Sequence, residues 1–381
     1  MASRTVFDLD TPALLVDLAR VRANCDRVEM RCRDLGVRFR PHLKTAKSID
    51  VARLLPSAFD HGITVSTVKE AEYFAGEGGS DILYAVTVPP DKLPRLAALT
   101  RGGARVRLAV DAADAADAMT AYVSESGAEF DVVIEIDSGE HRSGIAPDDA
   151  RVVDMARGLH AADGIRFGGV YTHAGHVYEC RTTEEARHVA AAERAAAVGA
   201  ATRIRDAGIP CEMVSVGSTP TLIRAEHLDG VTEARAGVCV FQDLFQAGIG
   251  SCEIDDIALS VLTTVIGHQP STGTLLVDAG GLALSKDRST AALGPDADCG
   301  YGLVAPASAT DPIPGWRVAD AYQEHGLVRS TSDPIDFDSY PIGTRLRVLP
   351  NHACMTAAQY DGYHVVESGR VVDEWARING W

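Results

Sequence analysis

Between residues 37 and 240, eight short apolar runs alternate with helix-like stretches, and that rhythm leaves few folds open to the chain. The runs lie at 37–42, 63–67, 81–86, 105–111, 130–137, 167–173, 212–217 and 232–240, and several are rich in Val and Ile and bounded by Gly or Asp. Such runs read as strands. Between them, 147–160 sets Val152, Val153, Met155, Ala156 and Leu159 at helical spacing. The alanine-rich 182–207 opens on Thr182 and Thr183, cap candidates before Glu184 and Glu185. Eight strand-then-helix units in about 220 residues predict a (β/α)₈ TIM barrel. After residue 257 the rhythm changes. The runs 257–268, 273–283, 316–323, 344–350 and 363–372 are strand-like with little helix between them, and turn formers such as Pro270-Ser271-Thr272-Gly273 and Glu367-Ser368-Gly369 separate them. We therefore expect an α/β barrel over 18–256 followed by a C-terminal all-β domain over 257–381. Residues 1–17, which hold the strand-like run 13–17, can join that second domain.

Charge narrows the partners. Lys and Arg number 36 against 53 Asp and Glu, a net charge of −17, which argues against nucleic acid or an anionic membrane as a partner. No apolar run approaches the roughly 20 residues of a membrane span, and the opening Met-Ala-Ser-Arg-Thr-Val-Phe-Asp shows no apolar leader. The eight Cys are scattered through a long chain, which fits a reduced, cytoplasmic setting.

Barrel enzymes work at the C-terminal ends of their strands. Lys44, a candidate Schiff-base lysine, follows run one by two residues. Run seven ends in Gly217-Ser218-Thr219-Pro220-Thr221, whose backbone N–H groups and hydroxyls suit a phosphate. A lysine on one strand and a phosphate loop on another describe pyridoxal 5′-phosphate held at both ends. Run six ends in Tyr171-Thr172-His173 and continues to His176 and Tyr178. These four side chains are either pocket residues or plain packing. In the second domain, His352 and Cys354 stand two apart. On a strand they would aim an imidazole and a thiolate at one point, and zinc prefers those ligands.

The chain resembles the pyridoxal-phosphate enzymes of alanine-racemase-like fold, in the branch of D-threonine aldolase and the eukaryotic-type, zinc-dependent D-serine dehydratases. The resemblance runs nearly end to end. It is carried by Asp10-Thr11-Pro12-Ala13-Leu14, Arg40-Pro41-His42-Leu43-Lys44-Thr45, Glu135-Ile136-Asp137-Ser138-Gly139, Arg142-Ser143-Gly144, Gln323-Glu324-His325-Gly326 and Pro350-Asn351-His352-Ala353-Cys354. The aldolases tend to carry Asp where this chain has Cys354. The resemblance implies Lys44 as the cofactor lysine, Arg142 near the cofactor's phenolic oxygen, and Gly217, Ser218, Thr219 and Gly237 around its phosphate. It implies His352 and Cys354 as zinc ligands. It also implies a homodimer, with Cys299, Gly300, Tyr301 and Gly302 at a mouth shared between subunits.

The expected activity is dehydration of a D-β-hydroxy amino acid, D-serine giving pyruvate and ammonia. Lys44 would remove the α-proton and zinc would activate the hydroxyl as leaving group. One rival is aldol cleavage of D-threonine or 3-hydroxy-D-aspartate, with His173 or His176 as the base for the hydroxyl proton. Another is dehydration of D-threo-3-hydroxyaspartate, which calls for an extra cation that the sequence does not identify. A non-enzymatic pyridoxal-phosphate carrier would resemble the barrel alone, and the added metal-bearing domain counts against it.

Overall fold

In the computed structural model, which describes residues 4–381, the eight runs form eight parallel strands. The first three residues, part of the segment read for a leader, lie outside the described residues. A strand β1 (Ala13–Asp17) precedes the set. The eight are β2 (Arg38–Phe39), β3 (Ile63–Val65), β4 (Asp81–Thr87), β5 (Arg105–Val110), β6 (Phe130–Ile136), β7 (Ile165–Thr172), β8 (Met213–Val216) and β9 (Glu233–Ala234). Their order is β2-β9-β8-β7-β6-β5-β4-β3. A parallel bridge between His42 and Thr64 joins the two ends and closes the barrel, with Leu43 N donating to the Thr64 carbonyl (3.0 Å) and Thr64 N to the Pro41 carbonyl (2.8 Å). β6 and β7 are buried along almost their whole length, as parallel strands covered on both faces must be.

The helix Thr183–Asp206 shows why these segments fold as they do. Thr182 caps it, accepting from the Glu185 N–H while Glu185 reaches back in a capping box. Its buried face is Ala186, Ala190, Ala197, Ala200, Ala201 and Ile204, small residues at helical spacing that let the helix lie against β7 and β8. Glu193 is the one carboxylate on that face.

The barrel's lower end holds buried charge. Arg40, 2 % exposed, donates to Glu233 (2.8 Å) and to Asp81 (2.8 Å). Arg107 makes two bonds to Asp81 (2.9 and 2.7 Å), and Arg105 and Arg166 bond Asp131. Each buried charge is thus paired.

The chain divides into two compact units. Asp26–Gly237, with residues 380–381, forms the barrel unit; the segment ending at Cys25 joins Val238–Asn379. The second unit is a nine-stranded sheet built from β1 and from β10 (Leu259–Gln269), β11 (Thr274–Val277), β12 (Leu303–Pro306), β13 (Trp316–Ala321), β14 (Gly326–Ser330), β15 (Arg345–Leu349), β16 (Gly362–Glu367) and β17 (Arg370–Ala376). Its order is β11-β14-β13-β12-β15-β10-β1-β16-β17, and a further pairing of β11 with β10 closes six of these strands into a second barrel. A bulge at Val265–Gly267 marks where β10 turns to pair with β11. The strand-like run 13–17 therefore sits inside the all-β sheet, between β10 and β16. Residues around it pack with the same unit: the Asn24 amide donates to the carbonyls of Val240 (3.2 Å) and Asp256 (2.8 Å). The stretch 363–372 is a hairpin turning at Ser368-Gly369, not one strand. Among the described residues no helix is long and apolar enough to cross a membrane.

Candidate active site

In the barrel unit, Lys44 lies on the turn just after the closing bridge and is exposed. The ladder that delivers it runs past the short strand label, since His42 N donates to the Ala236 carbonyl (2.8 Å). Around Lys44 the structure gathers His42, His173, Arg142 and Arg235. His173 holds its Nδ1 proton against the Gly217 carbonyl (3.0 Å), which leaves Nε2 as acceptor. Burial, and then the nearby charge of Lys44, push His173 down to about 3, and they push His42 well below the ordinary range. Both rings are therefore neutral near pH 7.

The loop after β8 is shaped by close approach. Gly217 has φ +131°, and a Cβ there would fall 2.2 Å from the Arg235 carbonyl oxygen; one at Gly237 would fall 2.7 Å from the His42 carbonyl oxygen. Ser218 caps the short helix Thr219–Arg224, its Oγ accepting from Thr221 N (3.3 Å). The Ser218 N–H is spent on Thr221 Oγ1 (3.0 Å) and the Gly217 N–H on Glu193 (3.1 Å). The Thr219 hydroxyl is buried and has no partner. Glu193 also accepts from Ala174 N (2.9 Å), so one buried carboxylate fastens the loops after β7 and β8 together.

The remaining expected residues fall in different places. Arg142 is largely exposed and pairs with Glu140 (3.3 Å). His176 and Tyr178 share the short turn Gly175–Glu179; the His176 Nδ1 is buried without a partner, and its ring faces Gly139. Tyr171 fills the barrel interior among Leu83, Ala109, Val133 and Met213. The Arg235 guanidinium stands over the Tyr171 ring at 5.1 Å, while burial, reinforced by the Glu135 carboxylate, raises its hydroxyl well above the usual value. Sequence reasoning missed Arg235 as a buried cation here, bonded to Ser215 Oγ and the Thr172 carbonyl. A glycine cradle, an unpartnered buried hydroxyl and an exposed lysine at the strand ends fit the phosphate and the aldehyde of pyridoxal phosphate. A cleft of about 650 Å³ opens at the opposite end, among Arg105, Asp131 and Arg166, whose charges already satisfy each other.

In the all-β unit, His352 and Cys354 do not lie on a strand, contrary to the expectation from sequence. β15 ends at Leu349, because Pro350 offers no N–H to continue the ladder. His352 then becomes the N-cap of the helix Ala353–Ala357, with Cys354 in its first turn. Asp243 accepts the Ala353 N–H (2.9 Å) and so starts that helix. The two side chains still meet, the Cys354 thiol bonding the His352 ring. The ring's Nδ1 lies 3.1 Å from Asp287 Oδ2. Burial opposes a charged ring, yet Asp287 and Cys354 outweigh it and raise His352, while the same contact lowers Asp287. Asn351 beside them is buried, donating to the Gly300 carbonyl (2.6 Å) and accepting from Thr290. Among the described residues no group of three or more His, Cys, Asp or Glu side chains is placed to hold a metal ion, so the protein offers two donors here. An imidazole and a thiol side by side, with a carboxylate behind the imidazole, fit a soft divalent cation that keeps other positions for water or substrate.

Residues 16–244 match the alanine racemase N-terminal domain and residues 258–366 a putative serine dehydratase domain. The chain is 48 % identical to the D-threo-3-hydroxyaspartate dehydratase of Delftia sp. (strain HT23), over 99 % of both chains. It is 32 % identical to a D-serine dehydratase of Dictyostelium discoideum, over 99 % of this chain and 98 % of that one. A solved structure of the D-threo-3-hydroxyaspartate dehydratase, a cysteine-to-alanine variant in the metal-free form, superimposes with a TM-score of 0.95 at 47 % identity, covering 99 % of this chain and 100 % of that one.

Proposed function

Because the chain belongs to the fold-type III pyridoxal-phosphate family that joins an alanine-racemase N-terminal domain to a serine-dehydratase domain, we propose that it dehydrates D-β-hydroxy amino acids with pyridoxal phosphate and zinc. Its relatives named as dehydratases make it a carbon–oxygen lyase of dehydratase type. The substrate and the identity of the metal are our inference. The observation that carries it is the His352–Cys354 pair, which lies inside the serine-dehydratase match and pairs a nitrogen with a sulfur donor.

Pyridoxal phosphate, when bound, supplies an electron sink for charge at Cα, and zinc supplies a Lewis acid for the β-hydroxyl. Lys44 would carry the cofactor, and its Nζ would take the α-proton. Thr219 Oγ1 would bond the phosphate, the side-chain-free Gly217 and Gly237 beside Ser218 would leave it room, and Arg142 would hold the ring oxygen. His352 and Cys354 would bind the zinc. Loss of water leaves an enamine that becomes a 2-imino acid, and hydrolysis of its C=N bond by one water releases ammonia and gives a 2-oxo acid: pyruvate from D-serine, oxaloacetate from D-threo-3-hydroxyaspartate.

Aldol cleavage needs a base for the hydroxyl proton instead. His173, pushed down to about 3, has little affinity for that proton at neutral pH, which leaves His176 as the candidate base for that route. Between the two dehydration substrates, the 48 % identity to the Delftia protein favours D-threo-3-hydroxyaspartate, with D-serine as the second. Incubating the holoenzyme with D-threo-3-hydroxyaspartate, D-serine and D-threonine and identifying products tests this. Oxaloacetate or pyruvate with ammonia is expected; glycine with an aldehyde would overturn the dehydratase reading. We also infer a homodimer, and an active monomer in light scattering would remove that part.

A further inference from the structure

We propose that Asp287 is the positioning residue of the metal pair: it locks His352 in the one tautomer whose Nε2 can bind a cation together with Cys354. The proposal rests on the zinc reading given above and extends it to a residue 65 positions away in the chain.

Three observations carry it. First, Asp287 Oδ2 meets His352 Nδ1 at 3.1 Å, which assigns the ring's Nδ1 proton to Asp287 and leaves Nε2 as the nitrogen free to bind a cation, on a ring that Cys354 also contacts. A neutral imidazole has one donor and one acceptor nitrogen, so fixing the first fixes the second. Second, the carboxylate itself is held. Its Oδ1 accepts the Ser289 N–H (2.8 Å), and the Asp287 N–H donates to Ser285 Oγ (3.2 Å). Ser285 has φ 67° and ψ 175°, a conformation that glycine tolerates and serine rarely adopts. The strained turn persists because it is tied from outside: Thr356 Oγ1, on the ligand helix, donates to the Leu284 carbonyl (2.9 Å). Third, the ligand turn is fixed from its other side by Asp243 at Ala353 N and by Thr290 at Asn351. With the backbone pinned on both sides, the remaining freedom at His352 is its ring orientation and tautomer, and Asp287 decides both. When a cation binds, it takes the place of any proton on Nε2 and of the thiol proton of Cys354, and both leave to solvent.

The test uses zinc ion alone, titrated into the full-length protein against a chelating dye, with Asp287→Asn, Asp287→Ala, His352→Ala and Cys354→Ala beside the parent. Asn keeps an oxygen for the Ser289 N–H, yet its amide donates to Nδ1 and forces the proton onto Nε2. Asp287→Asn is therefore expected to weaken zinc binding about 10–100-fold. Asp287→Ala forces no tautomer and should weaken it less. ¹⁵N shifts of the His352 ring should show Nδ1 protonated and Nε2 metal-bound in the zinc-loaded parent, and the proton on Nε2 in Asp287→Asn. Pyridoxal-phosphate absorbance reports whether each variant is folded. If His352→Ala and Cys354→Ala lose zinc while Asp287→Asn keeps parental affinity, the proposal fails and the zinc reading stands. An Ala variant weaker than the Asn variant, or an unchanged tautomer, reduces Asp287 to packing and overturns the proposal. A parent protein that takes up no zinc, or an undiminished His352→Ala, overturns proposal and zinc reading together.

Discussion

Replacing Asp81 by Asn should destabilise the barrel at neutral pH and do so less in acid. Asp81 opens β4 and faces Arg40, Arg107 and Arg105, the last two shared with Asp131 on β6. Burial alone would raise its pKa; hydrogen bonds from Arg107 and the charge of Arg40 outweigh that and hold it at about 2, against 3.8 in a free chain. Its side chain is 22 % exposed, so solvent screening is limited. The fall from 3.8 to about 2 corresponds to roughly 2.5 kcal/mol of stabilisation by the ionised form. The sign follows from a depressed folded value: the contribution is complete above the unfolded value of 3.8 and is lost as pH falls through 2. Asn keeps the shape without the charge. For a unit of this size, roughly 2.5 kcal/mol is a drop of about 5–10 °C in Tm at pH 7. At pH 3 the parent has given up about half of the term, so the gap should shrink to about half. Asp131 moves the other way, raised by burial. Its earlier protonation leaves Arg105 and Arg107 to Asp81, which delays the loss without changing its sign. Melting curves of parent and Asp81→Asn at pH 7 and pH 3 in one salt measure this. A gap as large at pH 3 as at pH 7 refutes the electrostatic account.

Glu193→Ala leaves two buried N–H groups, of Ala174 and Gly217, without an acceptor, at a cost of about 1–3 kcal/mol each. Absorbance titrations should show it weakening pyridoxal phosphate more than pyridoxal, and an equal loss for both would detach Glu193 from the phosphate loop. Chelation should stop elimination from D-serine while sparing β-chloro-D-alanine, whose chloride leaves unaided; equal sensitivity in product-release assays would contradict the leaving-group role of zinc.

The barrel was legible because most of its parallel strands, covered on both faces, read as apolar runs, and each of the eight runs holds a strand; β2 and β9 are only two residues long, and Val238–Val240 at the end of the last run is a helical turn of the other unit. The second unit was read less well. β12 and β14 are four and five residues long, with only part of each buried, so neither makes a run that stands out. The His-x-Cys pair was visible, but the geometry first assigned to it was wrong, since the proline that ends β15 lies two residues before it. Asp287 could not be chosen among 53 acidic residues, because its tie to His352 is made only by the fold. Glu193 could have been found: a single carboxylate on a stripe of alanines at helical spacing has to be satisfied by something.

The place of β1 sets a constraint on how the chain is made. Ala13 pairs with Leu262, and Leu15 with His364, so this early strand lies in the middle of a sheet whose other members are translated much later. At roughly 5–20 residues per second, a ribosome delivers the first of those partners on the order of tens of seconds after β1 itself. The barrel segment is meanwhile complete and free to fold. Throughout that interval Leu14, Leu15 and Val16 are an unpaired apolar strand, open to any passing edge. Newly made chains, rather than finished ones, are therefore the population in which this protein is most exposed to aggregation, and slowing translation after the barrel would lengthen that exposure.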